Sequence, residues 1–114
     1  MTLQELKTTL TGLSEDVPVY HYHAGPRTPT PYTVFFEQPT EDFQSDNIHG
    51  EMDWTVDVYY YTKEEFPEYT AELVSALQQA RATWRYDGIT YLDDEDIIEH
   101  HFIVICAWNE YYGT

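Results

Sequence analysis

A chain of 114 residues carries one hydrophobic core and is too short for two. Its 21 acidic residues against five basic ones (Lys7, Arg27, Lys63, Arg81 and Arg85) leave a net charge of -16. That balance excludes binding to nucleic acid or to an anionic membrane over any sizeable surface, because both gain affinity by setting Lys and Arg against phosphate. A basic protein partner, a divalent cation, or a surface that repels phosphate stays open. Aromatic residues make up 17% of the chain, with 11 Tyr and 3 Trp. Such side chains fill cores and also dominate protein–protein contacts, since they bury large areas with few rotors to freeze.

Leu3, Leu6, Leu10 and Leu13 recur at helical spacing and predict an amphipathic N-terminal helix of about three turns, ended by Gly12 and Ser14. The opening MTLQELKTTL lacks the basic and apolar regions of a signal peptide. No later window approaches the roughly 18 apolar residues of a membrane span. The alternating VPVYHYH predicts a strand over Val17–His23, with Pro18 near its start, where a sheet edge tolerates proline. AGPRTPTP, Ala24–Pro31, is a stiff exposed loop. YTVFFEQ reads as a second strand, and the polar PTEDFQSDNIHG as a loop.

In EMDWTVDVYYYT, Met52, Trp54, Val56, Val58 and Tyr60 share one face; Asp53, Thr55, Asp57, Tyr59 and Tyr61 share the other. This predicts a half-buried strand, wet on one side. At about 3.3 Å per residue it spans roughly 40 Å, so it bends or projects beyond the body. TKEE, Thr62–Glu65, has the form of a capping box. Pro67 suits a first helical turn, and Tyr69, Leu73, Leu77, Ala80 and Trp84 predict a helix over Pro67–Ala82. Asp87-Gly88 signals a tight turn between the short pieces TWRY and ITYL. The acidic turn DDED, Asp93–Asp96, leads into a closing strand over Ile97–Trp108. The order α-β-β-β-α-β-β predicts a single α+β domain over residues 1–114: an antiparallel or mixed sheet of about five strands with two helices on one face.

The closing strand begins with Glu99, His100 and His101, a cluster that raises the question of a metal. Strand neighbours point to opposite faces, so His100 and His101 do not share an ion without a bulge. Glu99 and His101 would meet His21 and His23 only if their two strands were adjacent. The DDED turn lacks the alternate spacing and glycine of a calcium loop. Ser14, Ser45 and Ser75 sit in no nucleophile elbow, and no glycine-rich phosphate loop occurs. Cys106 reads as a buried strand thiol, and with one cysteine no intrachain disulfide forms, so nothing argues for an oxidising compartment. No catalytic, cofactor or metal residues are assigned, and the chain is not expected to be an enzyme.

The leucine-striped helix, PYTVFF at Pro31–Phe36, SDNIHGEMDWTVDVYYYTKE running from a polar loop into a long strand, ELVSAL, the short hairpin and the closing HFIVICAW follow one another in a familiar order. Over nearly its full length the chain resembles the small tail-terminator or tail-completion (head–tail joining, neck) proteins of tailed bacteriophages. The likeness lies in order and texture. The resemblance implies a ring, commonly a homohexamer, that caps the tail tube and joins it to the head connector or neck protein. The resemblance also implies that genomic DNA passes through the lumen without sequence-specific binding. It further implies a virion location in the tail or neck, assembly in the bacterial host cytoplasm, no membrane and no cofactor.

Three features of the residues suit that reading. A carboxylate-lined lumen repels phosphate; surplus tyrosine suits subunit contacts; an overlong strand and a proline-stiffened loop reach a neighbour. Strand parity marks Asp53, Asp57, Asp93, Asp94, Glu95 and Asp96 as lumen or connector-surface candidates. Tyr59 and Tyr61, exposed in a monomer, are subunit-contact candidates together with Pro29 and Pro31. The alternative is an acidic protein-interaction module or DNA-mimic inhibitor binding a basic partner, which needs its acids on one continuous face.

Overall fold

Two amphipathic helices lie across one face of a twisted five-stranded sheet. The computed structural model describes residues 1–39, 53–65 and 67–107. Helix α1 (Leu3–Leu13) buries Leu3, Leu6 and Leu10, the stripe its periodicity predicts, with Leu13 at the rim. Its first turn is closed by a capping box. The Glu5 N–H donates to Thr2 Oγ1 and the Thr2 N–H to Glu5 Oε1, both at 3.1 Å. The Thr2 backbone N–H first, and then the Thr2 hydroxyl, hold the Glu5 carboxyl below its usual range.

The capping box predicted at Thr62–Glu65 does not form: α2 (Glu68–Gln79) starts at Pro67, which has no side chain to cap with. Thr62 Oγ1 instead accepts the Glu64 N–H at 3.0 Å in a local turn. Tyr69, Leu73 and Leu77 are buried as predicted. The helix ends before the expected Ala82 because Arg81 turns left-handed (φ 54), swinging the chain into the sheet. Trp84, placed on the helix by its spacing, lies in a strand and packs on the core from there.

The strands are β1 (Val19–His21), β2 (Tyr32–Pro39), β3 (Asp53–Thr62), β4 (Thr83–Leu92) and β5 (Ile97–Ala107), in the order β1-β2-β3-β5-β4. Only β1–β2 is parallel, so the sheet is mixed. β1 is shorter than the predicted Val17–His23 because Tyr22 adopts φ 78, which ends the extended run. The expected hairpin at Asp87-Gly88 is a β-bulge within one continuous strand. The pairing steps from Tyr86↔Phe102 to Gly88↔His101, and Gly88 takes φ 136, which a side chain would resist. The reversal occurs instead at Asp93–Asp96, where the Glu95 N–H donates to the Leu92 carbonyl.

β3 is the central strand, paired with β2 through Trp54–Tyr61 and with β5 throughout, so its described span lies within the body and does not project. The predicted faces hold: Val56, Val58 and Tyr60 face the helices together with Phe35, Phe102, Val104 and Cys106. Met52, the loop of residues 40–50 and Trp108 lie outside the described residues. Thr33, fully buried, donates to the Tyr69 hydroxyl at 3.0 Å and ties β2 to α2. Burial pushes the Tyr69 hydroxyl and the Cys106 thiol each up to about 12, so the thiol is unreactive. No helix among the described residues is long and apolar enough to cross a membrane.

Thr2→Ala removes one half of the capping box and is expected to cost about 0.5–2 kcal/mol. Leu73→Ala opens a core cavity and is expected to cost about 2–5 kcal/mol. Urea midpoints of the two variants against the unchanged protein check both values.

Candidate interaction surface

The face of the sheet away from α1 and α2 is laid with rings, because the register sets Tyr32 opposite Tyr61 and Val34 opposite Tyr59. Tyr32 stacks on Tyr61 at 4.8 Å, Phe36 on Tyr59 at 5.8 Å, and Tyr59 on His101 at 4.3 Å with the rings 8° apart. Tyr59 and Tyr61 are therefore half-buried in a ladder, not standing free as predicted. The Tyr61 hydroxyl is held above its usual range by burial first, then by its hydrogen bond with Glu99 and that carboxylate's charge. Burial and then the charge of Asp57 act the same way on Tyr59. These hydroxyls stay protonated at any physiological pH, so they offer neutral hydrogen bonds and ring faces to a partner.

Beside the ladder a chain of hydrogen bonds and ion pairs crosses four strands. Gln38 Nε2 donates to Asp57 Oδ2 at 3.0 Å, and Asp57 Oδ1 meets His101 Nε2 at 2.7 Å. His101 Nδ1 meets Asp87 Oδ2 at 3.1 Å, and Arg85 Nε meets Asp87 Oδ1 at 3.3 Å. Asp57 was expected to face a lumen, yet it is only 6% exposed and is spent on this chain. Parity placed it on the correct face; the neighbours on that face bury it. Asp53 and the four acids of the Asp93–Asp96 turn are exposed, and Asp96 accepts the Tyr91 hydroxyl. Pro29 is exposed and Pro31 half-buried in the crossover from β1 to β2.

The two sheet edges differ. β1 has three residues, preceded by Pro18, and is closed over by its own side chains: His21 and Tyr22 both reach Glu37, at 2.8 and 2.7 Å. β4 is ten residues long without a proline, and on its helix side Tyr86, Ile89 and Tyr91 are 46%, 59% and 56% exposed. Between β4 and α2 runs an apolar groove of about 430 Å³, lined by Val74, Trp84, Tyr86 and Phe102. His100 sits against it, 5% exposed, with Nδ1 on the Tyr86 hydroxyl at 2.9 Å and Nε2 buried without a partner. Burial lowers its pKa below the ordinary value.

The histidines do not gather. β2 and β3 stand between β1, which carries His21, and β5, which carries His101, while His23 is exposed in the crossover. Among the described residues no group of three or more His, Cys, Asp or Glu is placed to hold a metal. The β4 strip escaped notice in the sequence because a turn was read through its middle. The apolar alternation on both sides of Asp87-Gly88 is the signal that would have found it.

His101→Ala leaves the buried Asp57 with Gln38 alone and is expected to cost about 1–3 kcal/mol, read by urea denaturation. His100 binds its proton less readily folded than unfolded, so its share of stability is present above the unfolded value of 6.5 and is lost as pH falls through the depressed folded value. Stability should therefore fall as pH drops below about 6.5, and His100→Gln should flatten that part of the profile in thermal melts from pH 7.5 to 5.5.

No protein-family model and no curated protein matches this chain.

Proposed function

We propose that this chain is the structural subunit of a ring at the head-proximal end of a bacteriophage tail, where it ends the tail tube and joins it to the head connector. The observation that carries this reading is where the exposed large apolar side chains fall. Tyr86, Ile89 and Tyr91 lie on the β4 edge strand, and Tyr22 lies just past β1, at the opposite edge of the sheet. An apolar strip at one edge and a different exposed ring at the other favour head-to-tail contacts, which close into a ring when the rotation permits. A single self-complementary patch would instead favour a twofold dimer.

The charge supports the same reading. At -16 the chain repels phosphate, and the exposed acids Asp93, Asp94 and Glu95 are placed to line a channel through which DNA would slide without sticking. The resemblance in element order to tail-terminator and tail-completion proteins supports a place in the tail or neck of a virion.

Native mass spectrometry over a concentration series, with negative-stain imaging of the same samples, tests the assembly. A closed ring, expected to be hexameric, is the predicted outcome. A dimer that never grows, or a monomer at every concentration even with tail tubes present, would sink the proposal.

A further inference from the structure

We propose that the groove between α2 and β4 binds a small uncharged molecule of one or two rings with a single hydrogen-bonding group, which enters beside Tyr86 and pairs with Nε2 of His100. The site does not depend on the ring reading, and a second copy of the chain is not its occupant.

The groove holds about 430 Å³, inside the roughly 300–1,000 Å³ of sites that take small molecules. It stays open because Ala71 and Ser75, one turn apart on α2, stand where longer side chains would close the space against Trp84 and Tyr86. Phe102 and Trp84 give it apolar walls. None of the nine residues that line it is Asp, Glu, Lys or Arg, in a chain of which 23% is charged. An ion entering there would lose its water and find no opposite charge, so the ligand is neutral.

His100 sets the polar requirement. It lines the groove from β5, is 5% exposed, and shares a hydrogen bond through Nδ1 with the Tyr86 hydroxyl at 2.9 Å. Burial keeps the imidazole neutral near pH 7. A neutral imidazole has one N–H and one lone pair. If the Tyr86 hydroxyl donates, Nε2 keeps an unmet N–H; if Nδ1 donates, Nε2 keeps an unmet lone pair. Either way this buried atom lacks a partner, a costly state that folded chains seldom retain. A hydroxyl on the ligand answers both cases, because it donates and accepts. Tyr86, 46% exposed, is the wall with room to swing aside and admit a ring to the imidazole.

The test titrates phenol, toluene and benzoate into the full chain at neutral pH, following the Trp84 indole and His100 imidazole signals by proton–nitrogen NMR. Phenol should shift both saturably and bind about fivefold tighter than toluene, the difference one hydrogen bond makes. Benzoate should bind weakest. Ala71→Phe, at an exposed position, fills the groove and should abolish the phenol shifts while the circular dichroism spectrum and urea midpoint stay unchanged; Ser75→Phe replaces it if the first variant unfolds. Absence of a saturable phenol shift would overturn the proposal. So would equal binding of phenol and toluene with a still His100 signal, which would mean that a trapped water already meets Nε2. Tightest binding by benzoate, or phenol binding that survives the filled groove, would overturn it as well. If diluting the protein alone moves the same signals, a second copy already covers the groove and the proposal falls.

Discussion

Two helices cannot cover five strands. A helix with its side chains is about 10 Å across and neighbouring strands are about 4.8 Å apart, so a pair of helices covers roughly four strands. Here α1 and α2 sit over the β2–β3–β5 centre, where Phe35, Val58 and Phe102 are at most 1% exposed. The uncovered strand is β4, and beyond Trp84 the apolar residues on its helix side, Tyr86, Ile89 and Tyr91, are left in solvent. Most of what is distinctive about the molecule follows from that mismatch: the groove beside α2, the half-satisfied His100 at its floor, and the exposed strip at the edge.

The opposite face solves a different problem. It has no helix over it among the described residues, yet it is neither apolar nor freely wet. Stacked rings cover its β2–β3 half, and the Gln38–Asp57–His101–Asp87–Arg85 chain braces it from β2 to β4. Asp57 and His101 are more than four-fifths buried as side chains, so each depends on the other for its desolvated polar atoms. Such a pair adds little net stability over an apolar substitute, but it penalises any shift of β3 against β5. That holds the rings beside it in register. The bulge at Asp87 is part of the same device, since it lets the Asp87 carboxylate reach His101 from the edge strand.

The proposed ring would need surfaces that are stable when bare and better when covered. Tyrosine serves both states, because its ring packs and its hydroxyl remains hydrated. A strongly acidic chain in turn limits which surfaces of two copies can approach, since like charges repel across most orientations.

Local periodicity made much of the fold legible. Leucine spacing identified α1, the stripe from Tyr69 to Leu77 identified α2, and alternation assigned both faces of β3 correctly. The order α-β-β-β-α-β-β and the α+β class follow from those local patterns. The misreadings share a cause. Thr62–Glu65 has the letters of a capping box, but Pro67 decides where the helix starts, and the box that forms is at Thr2 and Glu5. Asp87-Gly88 has the letters of a turn, but nine residue pairs with β5 pull it straight, and the glycine is used for a bulge. By itself the sequence determined which residues share a face, because side-chain direction is set by backbone geometry a few residues long. Only the tertiary structure decided which strands are neighbours. Strand order therefore separated His21 from His101, buried Asp57 between Gln38 and His101, and left β4 uncovered, since those outcomes depend on contacts between segments that no local period encodes.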